Sequence, residues 1–464
     1  MVQWQQILRE AHLRVAISSR SVALELLTKV SVDGAYANLV MPQLLEQARL
    51  EPRDSAFAQE LAFSTIRWTQ TYDSIIDKVS SRPVKDIETP LLNAIRLGAH
   101  QLLQMRVPAH AAINETVNLI RQVCGEKVVG FANGVLRRIS EKDLNSWLEL
   151  VSLDEKSNTA VLSLTNSHPE WIVRALQQSL KSDGIEGSIE ELLEANNRPA
   201  HVTLVALPGL SKRDDYVADG GFPTNFSPYG FSIESGNPGD LEEVRRGSVR
   251  VQDEGSQLAA LALVEAIPVT ENEQWLDMCA GPGGKAALLA ALAEQSGAHL
   301  VANEVQEHRA KLVANSLAPF SDVEKTLLDG RSFGDSHPNH FDRILLDAPC
   351  TGLGALRRRP EARWRKSAED LKQLVELQYE LLESAYKALK PGGQLLYVTC
   401  SPHLSETTAV ITKAVKNLGV RVQDLTAVMN EKFMQGTLPT NRKTVQLYTH
   451  RDGTDCMFMA LITK

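Results

Sequence analysis

The segment Trp275-Leu276-Asp277-Met278-Cys279-Ala280-Gly281-Pro282-Gly283-Gly284-Lys285-Ala286 constrains the fold more than any other stretch of the chain. An apolar run ends on a carboxylate, enters a glycine-rich turn and continues into an Ala/Leu-rich helix. Such a strand, turn and helix form the nucleotide-binding element of doubly wound α/β folds, where missing Cβ atoms let backbone N–H groups approach a ligand. The spacing is not GxGxxG. From about residue 251 onward, short β-branched or Leu-rich runs alternate with helical stretches, which predicts a mostly parallel sheet flanked by helices. Strands are expected at Gln274–Asp277, His299–Asn303, Asp342–Leu346 and Gln394–Thr399. A final pair, Val445–Thr449 and Met457–Thr463, reads as a hairpin that closes the parallel sheet.

That domain is less than half of the 464 residues, and at about 150 residues per domain two or three are expected. Residues 1–150 read as all helix. Ala58, Leu61, Ala62 and Ile66 form one apolar stripe at helical spacing, and Leu92, Ile95, Ala99, Leu102 and Leu103 form a second. Ile113, Val117, Ile120 and Cys124 form a third, and Phe131, Val135 and Ile139 a short fourth. Residues 151–250 read as a small α+β connector, with helices from His168 and Ile189, a strand over His201–Leu207, and loops in the Gly-, Pro- and Ser-rich stretch Asp219–Asp240.

Composition narrows the class. Hydrophobic residues at 43% and charged residues at 23% are those of a globular chain. No apolar run approaches the ~18–20 residues of a spanning helix, and Arg9, Glu10 and Arg14 interrupt Met1–Ala16 where a signal peptide would be apolar. A cytoplasmic protein without a membrane segment is expected. Five scattered cysteines, none in a CxxC pair, exclude a disulfide framework and a zinc site, so no metal is expected. A net charge of −8 argues against a generally polybasic binder and restricts any nucleic-acid contact to a local patch.

About twenty residues beyond the glycine turn, Glu304 ends the second strand, where a carboxylate accepts hydrogen bonds from ribose hydroxyls. Asp329 lies at the end of a third and suits an adenine amino group. These acids favour an adenosine with free ribose hydroxyls, and the basic residues that would hold a 2′-phosphate are absent. S-adenosyl-L-methionine fits better than NADP, with Cys279, Ala280, Gly281, Pro282, Gly283, Gly284 and Lys285 as its loop.

Two further strand ends carry thiols. Asp342–Leu346 leads into Asp347-Ala348-Pro349-Cys350, and Gln394–Thr399 into Cys400-Ser401-Pro402. Both thiols should therefore emerge at the ligand-binding edge of one sheet. Carbon 5 of cytosine is too weak a nucleophile to take a methyl group unaided, and addition of a thiolate at C6 makes it enamine-like. Asp347 could stabilise the charge developing at N3. One cysteine attacks and the other helps release. Cys124 and Cys456 read as packing residues. Directly after Cys350, Arg357, Arg358, Arg359, Arg363, Arg365 and Lys366 with Glu361 put a charge of +5 into ten residues, with Trp364 available for stacking. This is the expected local RNA contact.

At these residues the chain resembles the RNA cytosine-C5 methyltransferases, the Nol1/Nop2/Sun family. Met278–Lys285 is similar to its S-adenosylmethionine loop, Asp347-Ala348-Pro349-Cys350 to its DAPC motif and Thr399-Cys400-Ser401 to its TCS motif. The resemblance implies that Cys400 is the nucleophile, that Cys350 assists product release, that Lys285 lies near the reacting base, and that Glu304, Asp329 and Asp347 serve the cofactor. Ala280-Gly281 replaces an alanine pair frequent in the family, Pro402-His403 replaces an aliphatic pair, and Glu406 stands where an acidic pair is common.

The N-terminal domain resembles the NusB fold through Pro52-Arg53-Asp54, Pro108–Glu115 and Phe131–Arg138. A NusB-like domain fused to this catalytic domain implies 16S rRNA, or a small-subunit precursor, as substrate, with the helical domain helping to hold the RNA. The rival reading is a non-catalytic NusB-like RNA-binding or transcription factor. Such a module has no need of Cys350, Cys400, Asp347 and Lys285.

Overall fold

The computed structural model describes residues 17–234 and 236–464, which form two compact units. One unit comprises the residues up to Gln177 with Ile189–Arg198 and Leu356–Arg365, and the other comprises Gln178–Ser188, Pro199–Ala355 and Lys366–Lys464. The charged segment Met1–Ala16 lies outside the described residues. Among the described residues, no helix is long and apolar enough to cross a membrane, and no cluster of His, Cys, Asp and Glu is arranged to hold a metal ion.

The first unit is helical. Its elements include α1 (Ser19–Val32), α2 (Ala37–Ala48), α3 (Pro52–Arg67), α4 (Thr69–Val79), α5 (Thr89–Leu103), α6 (Ala109–Cys124) and α7 (Val129–Ile139). Each of the four stripes read from the sequence faces one core: Leu61 and Ala62 of α3, Ile95 and Ala99 of α5, Ile120 of α6 and Ile139 of α7 are fully buried. Pro52 opens α3, where its missing N–H costs nothing.

The arginine-rich run belongs to this unit, and the structure corrects the expectation that all of it contacts RNA. Helices end with unpaired backbone groups, and the run supplies their partners. Tyr36 precedes α2 without a side-chain cap, and Glu361 Oε1 accepts the Ala37 N–H at 3.3 Å instead. At the other polarity, Trp364 Nε1 donates to Ile66 O at 2.7 Å and the Arg363 guanidinium donates to Arg67 O at 3.3 Å, both at the C-terminal end of α3. Arg363 further binds Ser167 O at 3.0 Å, Asn197 Oδ1 at 2.8 Å and Asn196 O at 3.3 Å, and it is fully buried. Arg365 donates to Ala35 O and lies 4.9 Å over the Tyr36 ring. Arg363, Trp364 and Arg365 are therefore committed to protein, while Arg359 alone of the run is exposed.

The second unit contains two sheets. The smaller is antiparallel, in the order β2-β3-β1-β4, from β1 (Val202–Ala206), β2 (Phe222–Pro223), β3 (Gly230–Ile233) and β4 (Val249–Val251). Strands β2 and β3 fall where the sequence reads as loops, because a two-residue edge strand and a glycine-led one carry no alternating pattern. The larger sheet has β5 (Gln274–Asp277), β6 (His299–Asn303), β7 (Val323–Thr326), β8 (Phe341–Asp347), β9 (Leu389–Thr399), β10 (Arg421–Val422), β11 (Val445–Gln446) and β12 (Phe458–Thr463). Their order is β10-β12-β9-β8-β5-β6-β7, with β11 paired to β12. Strands β5 to β9 pair in parallel, and β12 runs antiparallel to β9 and β11. The predicted closing pair is thus antiparallel, though Thr449–Asp452 forms a helical turn and shortens its first strand.

Side chains of the central strands alternate between two cores. Trp275, Leu345, Leu396 and Val398 enter one, and Leu276, Ile344, Leu346, Leu395 and Tyr397 the other, as expected of strands covered on both faces. Helix α8 (Gly284–Ser296) buries every residue from Ala286 to Ala293. Because β5 connects outward to β6 on one side while β8 lies on its other side, the sheet reverses direction at β5/β8. Ligands bind in such folds beyond the strand ends at that reversal.

Candidate active site

Four strand tips deliver three predicted residues and Asp277 to this edge. Asp277 ends β5, Glu304 follows β6, Asp347 ends β8 and Cys400 follows β9. The Lys285 ammonium, on the first turn of α8, donates to Asp347 Oδ2 at 2.8 Å. Burial works against that charge, but Asp347, with smaller help from Cys400 and Asp277, more than offsets it and lifts Lys285 above its usual value. The Cys350 and Cys400 Sγ atoms are 3.4 Å apart, well beyond the ~2.05 Å of a disulfide.

The thiols are not equivalent. The contact with Cys400, then burial, then the negative charges of Glu406 and Asp347 all push the Cys350 thiol strongly up, so it keeps its proton. Cys400 lies within the field of the Lys285 ammonium, whose charge it helps to stabilise. Cys279 is also held protonated, by burial and then by Asp277, Asp347 and Glu304. Burial pushes Cys124, on the helical core, up to about 11, and Cys456 is fully buried.

The glycine loop is built for close approach. A Cβ on Gly281 would collide with Glu304 Oε2 and come within 2.9 Å of the Arg309 guanidinium. Gly283 has φ +111°, a backbone region costly for other residues. Glu304 is nearly buried, accepts the Gln306 N–H at 3.0 Å and pairs with Arg309 at 3.3 Å. Asp329 is more open and is held by Arg331 at 2.6 Å.

Two residues without an assigned role from sequence complete this edge. Asp277 is fully buried, and neither carboxyl oxygen meets a hydrogen-bond partner in good geometry among the described residues. Burial, and then repulsion from Asp347, raise it to about 8, so it is largely neutral at pH 7. Its place immediately before the glycine loop was the available signal. Asn303 donates to Met278 O and Leu328 O, both at 3.0 Å, and accepts from Thr326 Oγ1 at 2.8 Å and Leu328 N at 2.9 Å. It ties the tips of β5, β6 and β7 together, and a lone strand-end asparagine carries no signal for that.

A parallel sheet closed by an antiparallel edge, with acids on successive strand tips around a glycine loop, is the architecture of the methyltransferase class, here joined to a helical domain. The profile of the NusB family matches residues 17–141, and that of 16S rRNA methyltransferase RsmB/F matches residues 264–463. The Mycobacterium tuberculosis protein Rv1407 is 42% identical over 448 residues, 96% of each chain. Ribosomal RNA small subunit methyltransferase B of Photorhabdus laumondii is 30% identical over 460 residues, 96% of this chain and 98% of its own. The crystal structure of PH0851 shares the fold at a TM-score of 0.79 and 20% identity, over 97% of this chain and 100% of its own. The chain belongs to the RsmB/F family of RNA methyltransferases, as its glycine loop and its two cysteine motifs lead one to expect.

Proposed function

We propose that the protein transfers a methyl group from S-adenosyl-L-methionine to C5 of a cytidine in 16S rRNA through a covalent adduct of Cys400. The observation that carries this reading is the pair of thiols 3.4 Å apart, with Cys400 in the field of the Lys285–Asp347 pair. A methyltransferase acting on an amine or hydroxyl needs neither thiol.

The cofactor suits the residues present. The glycine turn packs directly against the buried Glu304 carboxylate, an acceptor suited to ribose hydroxyls. Glu304 would take the ribose and Asp329 the adenine amino group, with the exposed apolar side chains of Val305, Leu327 and Leu328 adjoining these acids in sequence. When bound, the cofactor supplies an electrophilic methyl group on its sulfonium.

The protein prepares the base to receive it. Cys400 adds to C6, and the electron pair of the C5–C6 double bond moves toward N3. The Lys285–Asp347 pair, with a proton between Nζ and Oδ2, delivers that proton to N3. C5 is then enamine-like and takes the methyl group. A base removes the C5 proton, the double bond re-forms, the S–C6 bonding pair returns to Cys400, and N3 gives its proton back to the Lys285–Asp347 pair. Cys350, whose thiol keeps its proton and lies 3.4 Å from Cys400, is placed to assist this release by donating a hydrogen bond to the departing Cys400 thiolate.

Mapping 5-methylcytosine in small-subunit rRNA from cells with and without the protein tests the reading, and an unchanged map would refute it. Glu304→Gln should weaken S-adenosylmethionine binding about 10- to 100-fold, since hydrogen bonds to a charged acceptor are lost. Calorimetry that finds affinity within about twofold of the parent protein would remove Glu304 from the cofactor site.

A further inference from the structure

The two thiols lie beyond the strands that carry them. Cys350 is three residues past Asp347, where β8 ends, and Cys400 is one past Thr399, where β9 ends. Backbone bonds continue past the strands, from Ala348 N–H to Val398 O and from Gly354 N–H to Cys400 O, both at 2.9 Å, but neither involves Cys350, its two neighbours or Ser401.

One buried side chain joins the two turns. Glu406 closes the short helical turn Leu404–Glu406 and is fully buried. Its Oε1 accepts the Thr351 N–H at 2.8 Å, and its Oε2 accepts the Thr351 hydroxyl at 2.5 Å and the Ser401 hydroxyl at 2.6 Å. Thr351 follows Cys350 and Ser401 follows Cys400, and their hydroxyl oxygens are 3.2 Å apart. Gln378 Nε2, on α9 (Ala368–Ala388), donates to Glu406 Oε1 at 3.1 Å and to Pro349 O at 2.9 Å. The Tyr397 hydroxyl, on β9, donates to the Glu406 carbonyl at 2.8 Å. The residues on both sides of Cys350 and the residue after Cys400 thus lie within one network centred on this carboxylate.

We propose that Glu406 is a positioning residue that sets the approach of Cys350 to Cys400 through Thr351 and Ser401. An apolar side chain of similar volume would fill the space without the desolvation cost of a buried carboxylate. What only the carboxylate supplies is several acceptor sites on one rigid plane, enough to hold both turns at once. The proposal rests on the reading of Cys400 as nucleophile with Cys350 as its assistant.

The test uses the full-length protein and two readouts. In the first, diamide oxidises the Cys350 and Cys400 thiols to a disulfide and is itself reduced to the hydrazine, taking up both protons and two electrons, so that the rate reports thiol approach without any methyl transfer. Glu406→Ala should slow closure about tenfold or more, and Glu406→Gln, which keeps one acceptor oxygen and the side-chain volume, should slow it less. In the second, kcat for RNA methylation should fall about 100-fold in Glu406→Ala, the scale expected when reacting groups shift by about 1 Å, with S-adenosylmethionine affinity unchanged within about twofold. Disulfide closure at the parental rate in both variants would overturn the proposal. So would loss of cofactor affinity in proportion to kcat in both, which marks general damage to the fold. Absence of a trapped RNA adduct in Cys350→Ala, with disulfide closure still slowed by Glu406→Ala, would overturn the covalent reading alone.

Discussion

Cys400→Ala is expected to lower methyl transfer by roughly 10⁴-fold or more, the scale seen when a nucleophile is removed, while S-adenosylmethionine still binds. Cys350→Ala should behave differently. With Cys400 intact, addition and methyl transfer proceed, release stalls, and a protein–RNA adduct survives denaturing electrophoresis. The contrast follows from the roles proposed for the pair: Cys400 lies in the field of Lys285, whereas the contact with Cys400, then burial, then the charges of Glu406 and Asp347 raise the Cys350 thiol. Both variants remove one small side chain from the same 3.4 Å contact, so a difference between them reports chemistry rather than packing. Methylation that persists in Cys400→Ala, with the adduct trapped there instead, would reverse the assignment.

The second large effect concerns stability. Arg363→Met keeps the aliphatic stem and removes a guanidinium that serves Arg67 O, Ser167 O, Asn196 O and Asn197 Oδ1. Each buried acceptor left unsatisfied costs about 1–3 kcal/mol, so the loss should reach about 3 kcal/mol. The urea midpoint of the helical unit should fall accordingly, and Arg363→Lys should not restore it, because one ammonium cannot reproduce the planar fork. A residue whose role was to grip phosphate would give the opposite pattern, with weaker, salt-dependent RNA binding and an unchanged midpoint. Arg359→Ala, at an exposed position of the same run, is the matched control and should leave the midpoint within about 0.5 kcal/mol of the parent.

These two experiments fall on opposite sides of what could be read before the fold was known. The strands that carry the site were legible, and β5 and β6 begin and end at the residues expected. They are covered on both faces, so each is an unbroken apolar run that stops at a polar or charged residue on the ligand edge. The helical stripes were legible for the same reason, since burial of one face writes a period into the chain. The arginine run was not. Six cations in ten residues look alike whether they face water, phosphate or the carbonyl ends of helices, and only the position of α3 decides among these. Glu406 was noticed as a departure from a motif, but its hydrogen bonds to Thr351 and Ser401 join residues 55 and 5 positions away, a closure that no local pattern records. Asp277 shows a milder failure: the residue was in view, but its complete burial beside Asp347 was not.

The capping run also bears on how such a protein could be taken apart or assembled by recombination. Leu356–Arg365 completes the helical unit, yet it is encoded within the catalytic half of the gene. A single cut near residue 150 would yield an N-terminal piece with the end of α3 stripped of its donors, and a C-terminal piece in which Arg363 keeps Ser167, Asn196 and Asn197 but loses Arg67 O while Trp364 loses Ile66 O. Neither product would report the behaviour of a domain. The two halves are therefore not interchangeable cassettes: a lineage that exchanged one would have to change the ten-residue run in the other in the same step, so they should be inherited as a unit.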